Sequence, residues 1–105
     1  MTKADIVEKV ASGTGLTKLE TEAIVEGFLN TVIGALRDGR GIEIRGFGSY
    51  RVKKKKARYA RNPRTGEKVY VGEHYVPMFK FSKDFKSAVD AGMKTKDLQE
   101  NQEVN

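Results

Sequence analysis

The chain has 105 residues, 32% of them charged and 38% hydrophobic, with a net charge of +6, enough for one small domain with a lean core. It contains no Cys, which excludes a disulfide framework and a thiolate metal site, and its charge-dotted opening MTKADIVEKV lacks the apolar run of a secretory signal. No stretch approaches the roughly 20 apolar residues needed to span a bilayer, so the sequence reads as a soluble protein with no membrane contact.

The charge is unevenly spread. Residues 1–40 carry five bases and six acids, residues 41–91 thirteen bases and five acids, and residues 92–105 two bases and three acids. The first forty residues are therefore a charge-balanced scaffold, and the cationic footprint lies in the middle. Thr2 with Asp5 three residues on is an N-cap pattern, and Ile6, Val7 and Val10 form a short amphipathic stripe that should end near Ser12-Gly13. Thr17-Lys18-Leu19-Glu20 is a full capping-box pattern. Leu19, Ala23, Ile24, Phe28, Val32 and Leu36 then recur at three- and four-residue steps, and Gly39 follows Asp38 where a helix would stop. These features predict a helix–turn–helix pair.

The pattern then changes to period two. Ile42 and Ile44 alternate with Glu43 and Arg45, Gly46-Phe47-Gly48 supplies a tight turn, and Tyr50 and Val52 share a strand face. A return limb begins at Lys68-Val69-Tyr70-Val71, and Tyr75 to Phe81 brings the chain back. Gly72 and Pro77 predict an irregular or edge strand there. Ser82 can cap a last short helix with Phe85, Ala88 and Val89 on its apolar face. From Gly92 onward only Met93, Leu98 and Val104 are apolar, which predicts a frayed polar tail over 92–105, with a short helix near 96–102 as the alternative.

Between the two limbs, Arg51 to Lys68 (RVKKKKARYARNPRTGEK) holds nine bases and one acid, Glu67. The run reads as a basic hairpin arm over about residues 52–75, with its tip at Asn62-Pro63-Arg64-Thr65-Gly66. Strand alternation would put Arg51, Lys53 and Lys55 on one face and Lys54 and Lys56 on the other. A lysine run can serve merely to guard an edge strand, but that does not account for Arg51, Arg58, Arg61 and Arg64 as well. Duplex nucleic acid is the partner such a surface fits. Pro63 has two readings. Its fixed φ suits a turn, and its apolar ring at the end of a cationic hairpin could wedge between base pairs, with Arg61 and Arg64 suited to a narrow minor groove.

An enzyme reading finds little support. His74, the single histidine, lies in a Gly-Glu-His-Tyr bend without a partner at motif spacing, and the acids are dispersed. Gly46 and Gly48 lack the third glycine of a dinucleotide loop. No cofactor is expected. RNA binding stays open, although surface aromatics in the arm are few, and Tyr59 and Tyr70 could simply face each other. A basic loop for an acidic protein partner is a third class. The arm adds little core, which leaves some seventy residues to stabilise the fold. Phe47, Phe79, Phe81 and Phe85 join a long apolar helix face that one layer cannot cover. A homodimer follows as the expectation, and a compact monomer is the alternative.

The residues Ile42 to Tyr50 (IEIRGFGSY), Arg61 to Glu67 (RNPRTGE) and Val76 to Lys80 (VPMFK) resemble the bacterial HU and integration host factor family of nucleoid proteins. The resemblance covers Met1 to about Asp90, and GFG followed by RNPxTG at this spacing is a specific signature. It implies an α+β fold in an intertwined homodimer: a helix–turn–helix body, an antiparallel sheet, a protruding β-hairpin arm and a short C-terminal helix, over residues 1–91. It further implies double-stranded DNA as partner, arms along the minor groove, and a cytoplasmic, nucleoid location. By that likeness Pro63 intercalates and bends the DNA, Arg61, Asn62 and Arg64 hold the minor groove, and Arg51, Lys53, Lys55 and Arg58 track phosphates. Lys3, Lys83 and Lys86 would anchor flanking DNA beside helix N-termini. Glu43 and Arg45 resemble the β-subunit of integration host factor, where this acid–base pair helps discriminate sites, although the two could also simply pair on a solvent-facing strand. The unbroken Lys53–Lys56 run, Phe81-Ser82 before the last helix and some fifteen residues past the usual end depart from the family pattern. Weakly specific DNA compaction by a homodimer is the favoured expectation, and a site-specific subunit pairing with a paralogue is the runner-up.

Overall fold

A computed structural model describes residues 1–104, with side chains through Glu100, and divides into two units, Met1–Asp38 and the segment from Gly39 onward.

The first unit is a helical hairpin of α1 (Lys3–Thr14) and α2 (Lys18–Arg37). Both helices start at the expected capping boxes. The Asp5 and Glu20 backbone N–H groups donate to Thr2 Oγ1 and Thr17 Oγ1 at 3.3 and 3.1 Å, and each carboxylate accepts from the cap residue's N–H at 2.8 and 3.1 Å. Those backbone and hydroxyl hydrogen bonds hold both carboxyls below their ordinary pKa. Ionised, they support the caps at neutral pH, and this support is lost as pH falls through the lowered values. The first helix runs past Ser12-Gly13. Thr14 Oγ1 donates back to Val10 O at 2.7 Å, and the stop is Gly15, at φ 78°, whose N–H reaches Ala11 O at 3.0 Å. A glycine inside a helix is disfavoured by only about 1 kcal/mol, so Gly13 does not end it. Val7, Ala11 and Thr21 are buried between the helices.

The second unit opens with β1 (Ile42–Ile44), β2 (Gly48–Lys55) and, after the arm, β5 (His74–Phe81), an antiparallel sheet of order β1-β2-β5. The β1–β2 turn is closed by Phe47 N–H donating to Ile44 O at 3.0 Å. Pro77 sits opposite Val52 on the edge strand, where its missing N–H is tolerated. Within the arm, β3 (Arg58–Arg61) pairs with β4 (Lys68–Val71) as a separate two-stranded ladder. One register runs through both ladders. Across the break it sets Lys56 against Glu73 and Ala57 against Gly72, so the interruption is a joint and not a bulge.

Aromatic rings form the packed face of this unit. Phe79 meets Tyr50, Phe81 and Phe47 at centroid distances of 4.7, 4.8 and 5.6 Å, and Phe85 meets Phe81 and Phe47 at 4.7 and 5.3 Å. Gly48 makes this possible. A Cβ there would stand 2.5 Å from both Phe79 Cζ and Lys80 O. Gly48→Ala is therefore expected to destabilise the protein by about 1–3 kcal/mol through overpacking, read as a fall of several degrees in a thermal melt.

The last helix, α3, spans Lys83–Val104. Ser82 Oγ accepts from Phe85 N–H at 3.0 Å, the expected cap. The predicted frayed tail is instead a continuation of this helix. Nothing after Asp90 breaks it except Gly92, and an i,i+4 pair of Asp90 with Lys94 at 2.9 Å supports the turn across that glycine. Its residues Lys, Gln, Glu, Leu and Met are good helix formers, so polarity alone was a poor guide to disorder.

Candidate nucleic-acid interface

The arm tip is built by its own hydrogen bonds. Asn62 precedes a proline, which keeps it extended, and its Oδ1 accepts from Arg64 N–H at 2.9 Å in an Asx turn. Gly66 N–H donates to Asn62 O at 2.7 Å, and Asn62 N–H donates to Glu67 O at 2.8 Å. Gly66 sits at φ 75°, which a side chain would oppose. Pro63 lies at the apex and is exposed, as are Arg61 and Arg64, while Asn62 is half-buried under the turn.

Below the tip the ladder sets Arg61 directly opposite Lys68, two exposed cations whose mutual repulsion a bound anion would relieve. The next pairs are Ala60 with Val69, then Tyr59 with Tyr70, whose rings touch edge-on at 5.4 Å. The two tyrosines face each other across the ladder, as expected, and both remain exposed. Arg58 opens β3 opposite Val71.

In the stem, alternation is as expected through Lys55. Arg51, Lys53 and Lys55 share a face with their cross-strand partners Met78, Val76 and His74, and Tyr50, Val52 and Lys54 share the other with Phe79, Pro77 and Tyr75. The ladder ends at Lys55, so Lys56 belongs to the joint and not to a strand face. Register also adds a cation that the sequence did not single out. Lys80 lies opposite Ser49, on the face of Arg51. Among the described residues Arg51, Lys53, Lys55, Arg58, Arg61 and Arg64 form no ion pair, whereas Lys54 Nζ lies 2.9 Å from Glu73 Oε1.

At the foot of the sheet a cleft of about 480 Å³ is lined by Arg45, Lys80, Lys83 and Lys86, with Glu43 and Ser82 beside them. Ser82 N–H donates to Phe47 O at 2.9 Å, which ties the β1–β2 turn to the start of α3 and brings Arg45 near that helix's N-terminus. Arg45 falls in the turn, beyond the end of β1, so the alternation that would align it with Glu43 stops at Ile44. Lys3 belongs to the other unit. Its ammonium pairs with Glu26 Oε1 at 2.9 Å, and the hydrogen bond and charge of Glu26 raise its pKa. The α1 N-terminus beside it is already occupied by the Thr2–Asp5 capping box.

A family profile described as "Bacterial DNA-binding protein" matches residues 1–90. The chain belongs to the HU/integration host factor family of bacterial DNA-binding proteins. It is 40% identical over 95 residues to an integration host factor subunit beta of Nitrosomonas europaea, covering 90% of each chain. It is 41% identical over 93 residues to a subunit alpha of Anaeromyxobacter dehalogenans, covering 89% of this chain and 82% of that one. Among solved structures it is similar to an Anabaena HU in an HU–DNA cocrystal, at TM-score 0.79 and 36% identity over 85% of this chain and 97% of the other. An HU from Thermotoga maritima follows at TM-score 0.62 and 28% identity, covering 85% and 98%. As a member of this HU-fold family the chain is an α+β architectural DNA-binding protein. Alpha and beta subunits resemble it equally, so Glu43 and Arg45 do not by themselves assign a subunit type.

Proposed function

We propose that the chain works as a homodimer in the bacterial nucleoid, laying two jointed arms along the minor groove of duplex DNA and bending it with Pro63 at each tip. The observation that carries this is the tip itself: an exposed proline ring on a self-supported turn, with Arg61, Arg64 and Lys68 around it and, among the described residues, no acid paired to them. Asn62 and Arg64 meet the groove floor and walls. Arg51, Lys53, Lys55, Arg58 and Lys80 follow phosphates along the arm. The cleft of Arg45, Lys83 and Lys86 receives the backbone of flanking DNA beside the α3 N-terminus. Lys3 contributes less than these, since a phosphate must displace Glu26 to reach it.

Weak sequence specificity follows from the chemistry. The minor groove offers little beyond A·T against G·C, so an arm of this kind responds to groove width and to how readily a step unstacks. The role is architectural, with no bond made or broken, and its setting is the cytoplasm. Binding to linear, nicked and pre-bent duplexes at fixed salt tests it. A strong preference for distorted DNA with little sequence dependence is expected, and equal affinity for all three would overturn it. A site-specific subunit is the second reading, favoured by Glu43 and Arg45 lining the same cleft as Lys83.

Each arm cation that meets a phosphate contributes roughly 0.9 to the slope of log affinity against log salt. Replacing Arg61 and Arg64 together by Ala is expected to flatten that slope by up to two contacts per arm. An unaltered slope in a salt titration would mean that neither side chain meets phosphate.

A further inference from the structure

The basic run Lys53–Lys56 offers four neighbouring lysines, and its composition cannot say which of them act. We propose that Glu73 is a positioning residue that holds Lys54 out of the DNA contact and so leaves the arm with one dominant cationic face. This rests on the arm reading above and goes beyond it.

Three observations carry it. Lys54 Nζ and Glu73 Oε1 are 2.9 Å apart, while Lys53 and Lys55 have no such partner among the described residues. Lys54 lies on the face of Tyr50 and Val52, opposite to Arg51, Lys53 and Lys55. Glu73 sits in the two-residue joint and reaches diagonally to Lys54 in the stem, so the pair spans the place where the two ladders are interrupted.

Both side chains are about half exposed, at 53% and 55%, so the pair adds little to stability. Its effect is on charge distribution. A minor groove about 6 Å wide has phosphates on both walls, and an unpaired ammonium on either face of the arm lies within about one Debye length of them. Lys54 could exchange Glu73 for a phosphate only by leaving a bare carboxylate beside the polyanion. That repulsion offsets the gain, so Lys54 stays with Glu73 and the face carrying Arg51, Lys53 and Lys55 turns to the DNA.

The test is the salt dependence of binding to a labelled linear duplex, measured with the full chain. Glu73→Gln should raise affinity at low salt and steepen the slope by roughly 0.9 per arm, an additional loss of about 3.5-fold per arm between 50 and 200 mM salt. Glu73→Asp, which keeps the charge, should behave as the parent. Lys54→Gln combined with Glu73→Gln, which removes the pair without baring the carboxylate, should return to the parental slope. Lys53→Gln serves as the control and should lower the slope. A parental slope in Glu73→Gln, with Lys53→Gln effective, overturns the inference, as does a double variant as weakened as Lys53→Gln. If Lys53→Gln is also silent, the arm is not the contacting element, and the reading beneath this inference goes with it.

Discussion

Pro63→Ala is expected to abolish most of the DNA bend while leaving the protein as stable as the parent. The two halves of that expectation have separate causes. The tip turn is closed by Asn62 Oδ1, Asn62 O and Glu67 O accepting from Arg64, Gly66 and Asn62 N–H groups at 2.9, 2.7 and 2.8 Å, none of which involves proline. Alanine can adopt the φ that Pro63 fixes, so the turn survives with only a small loss of rigidity. The wedge does not survive. Unstacking a base step costs a few kcal/mol and kinks the duplex by roughly 20–90°, which requires an apolar body thick enough to fill the gap. A methyl group is too small. Energy transfer between dyes at the two ends of a bound duplex reads the bend directly, and affinity should fall much less on intact linear DNA than on pre-bent DNA. An unchanged transfer efficiency at saturation would show that Pro63 serves the turn alone.

The features that proved legible in the chain are those encoded by short, self-contained patterns. Thr2 with Asp5 and Thr17 with Glu20 cap their helices as the spacing predicts, because a capping box needs only residues three apart. The tip from Asn62 to Gly66 was equally readable, since every bond that holds it lies within six residues. What escaped notice depends on register or on distant partners. Lys80 joins the face of Arg51 only once Ser49 is known to lie opposite it, and Lys68 opposes Arg61 for the same reason. The arm's joint was half legible: Gly72 signalled the irregularity on the return limb, while Lys56-Ala57 carries no strong local signal in a run of lysines. Lys3 matched a phosphate anchor by position, yet the structure pairs it with Glu26, twenty-three residues away. The α3 extension was missed for a different reason. A polar helix and a polar tail have the same composition, and only the lack of a breaker distinguishes them.

Ile33→Asp should abolish the dimer and the fold together. Taken alone, the chain buries just two apolar side chains, Val7 and Ala11, among the described residues. Along α2, Ile24, Phe28 and Ile33 remain 59%, 47% and 56% exposed, and in the second unit Phe81 and Val89 are 47% and 52% exposed. Two buried side chains cannot offset the backbone entropy of about a hundred ordered residues, at roughly 1–2 kcal/mol each. We infer that a second copy of the chain, which presents the same apolar faces, supplies the rest of the burial. An aspartate at position 33 then enters the interface twice, once from each protomer, and each unpaired carboxylate costs several kcal/mol to bury. Helical circular dichroism and sedimentation should therefore collapse together at micromolar concentration, and the parent's melting temperature should rise with protein concentration. A parent that sediments as a folded 11.7 kDa species, or an Ile33→Asp variant with an unchanged melt, would place the missing core elsewhere.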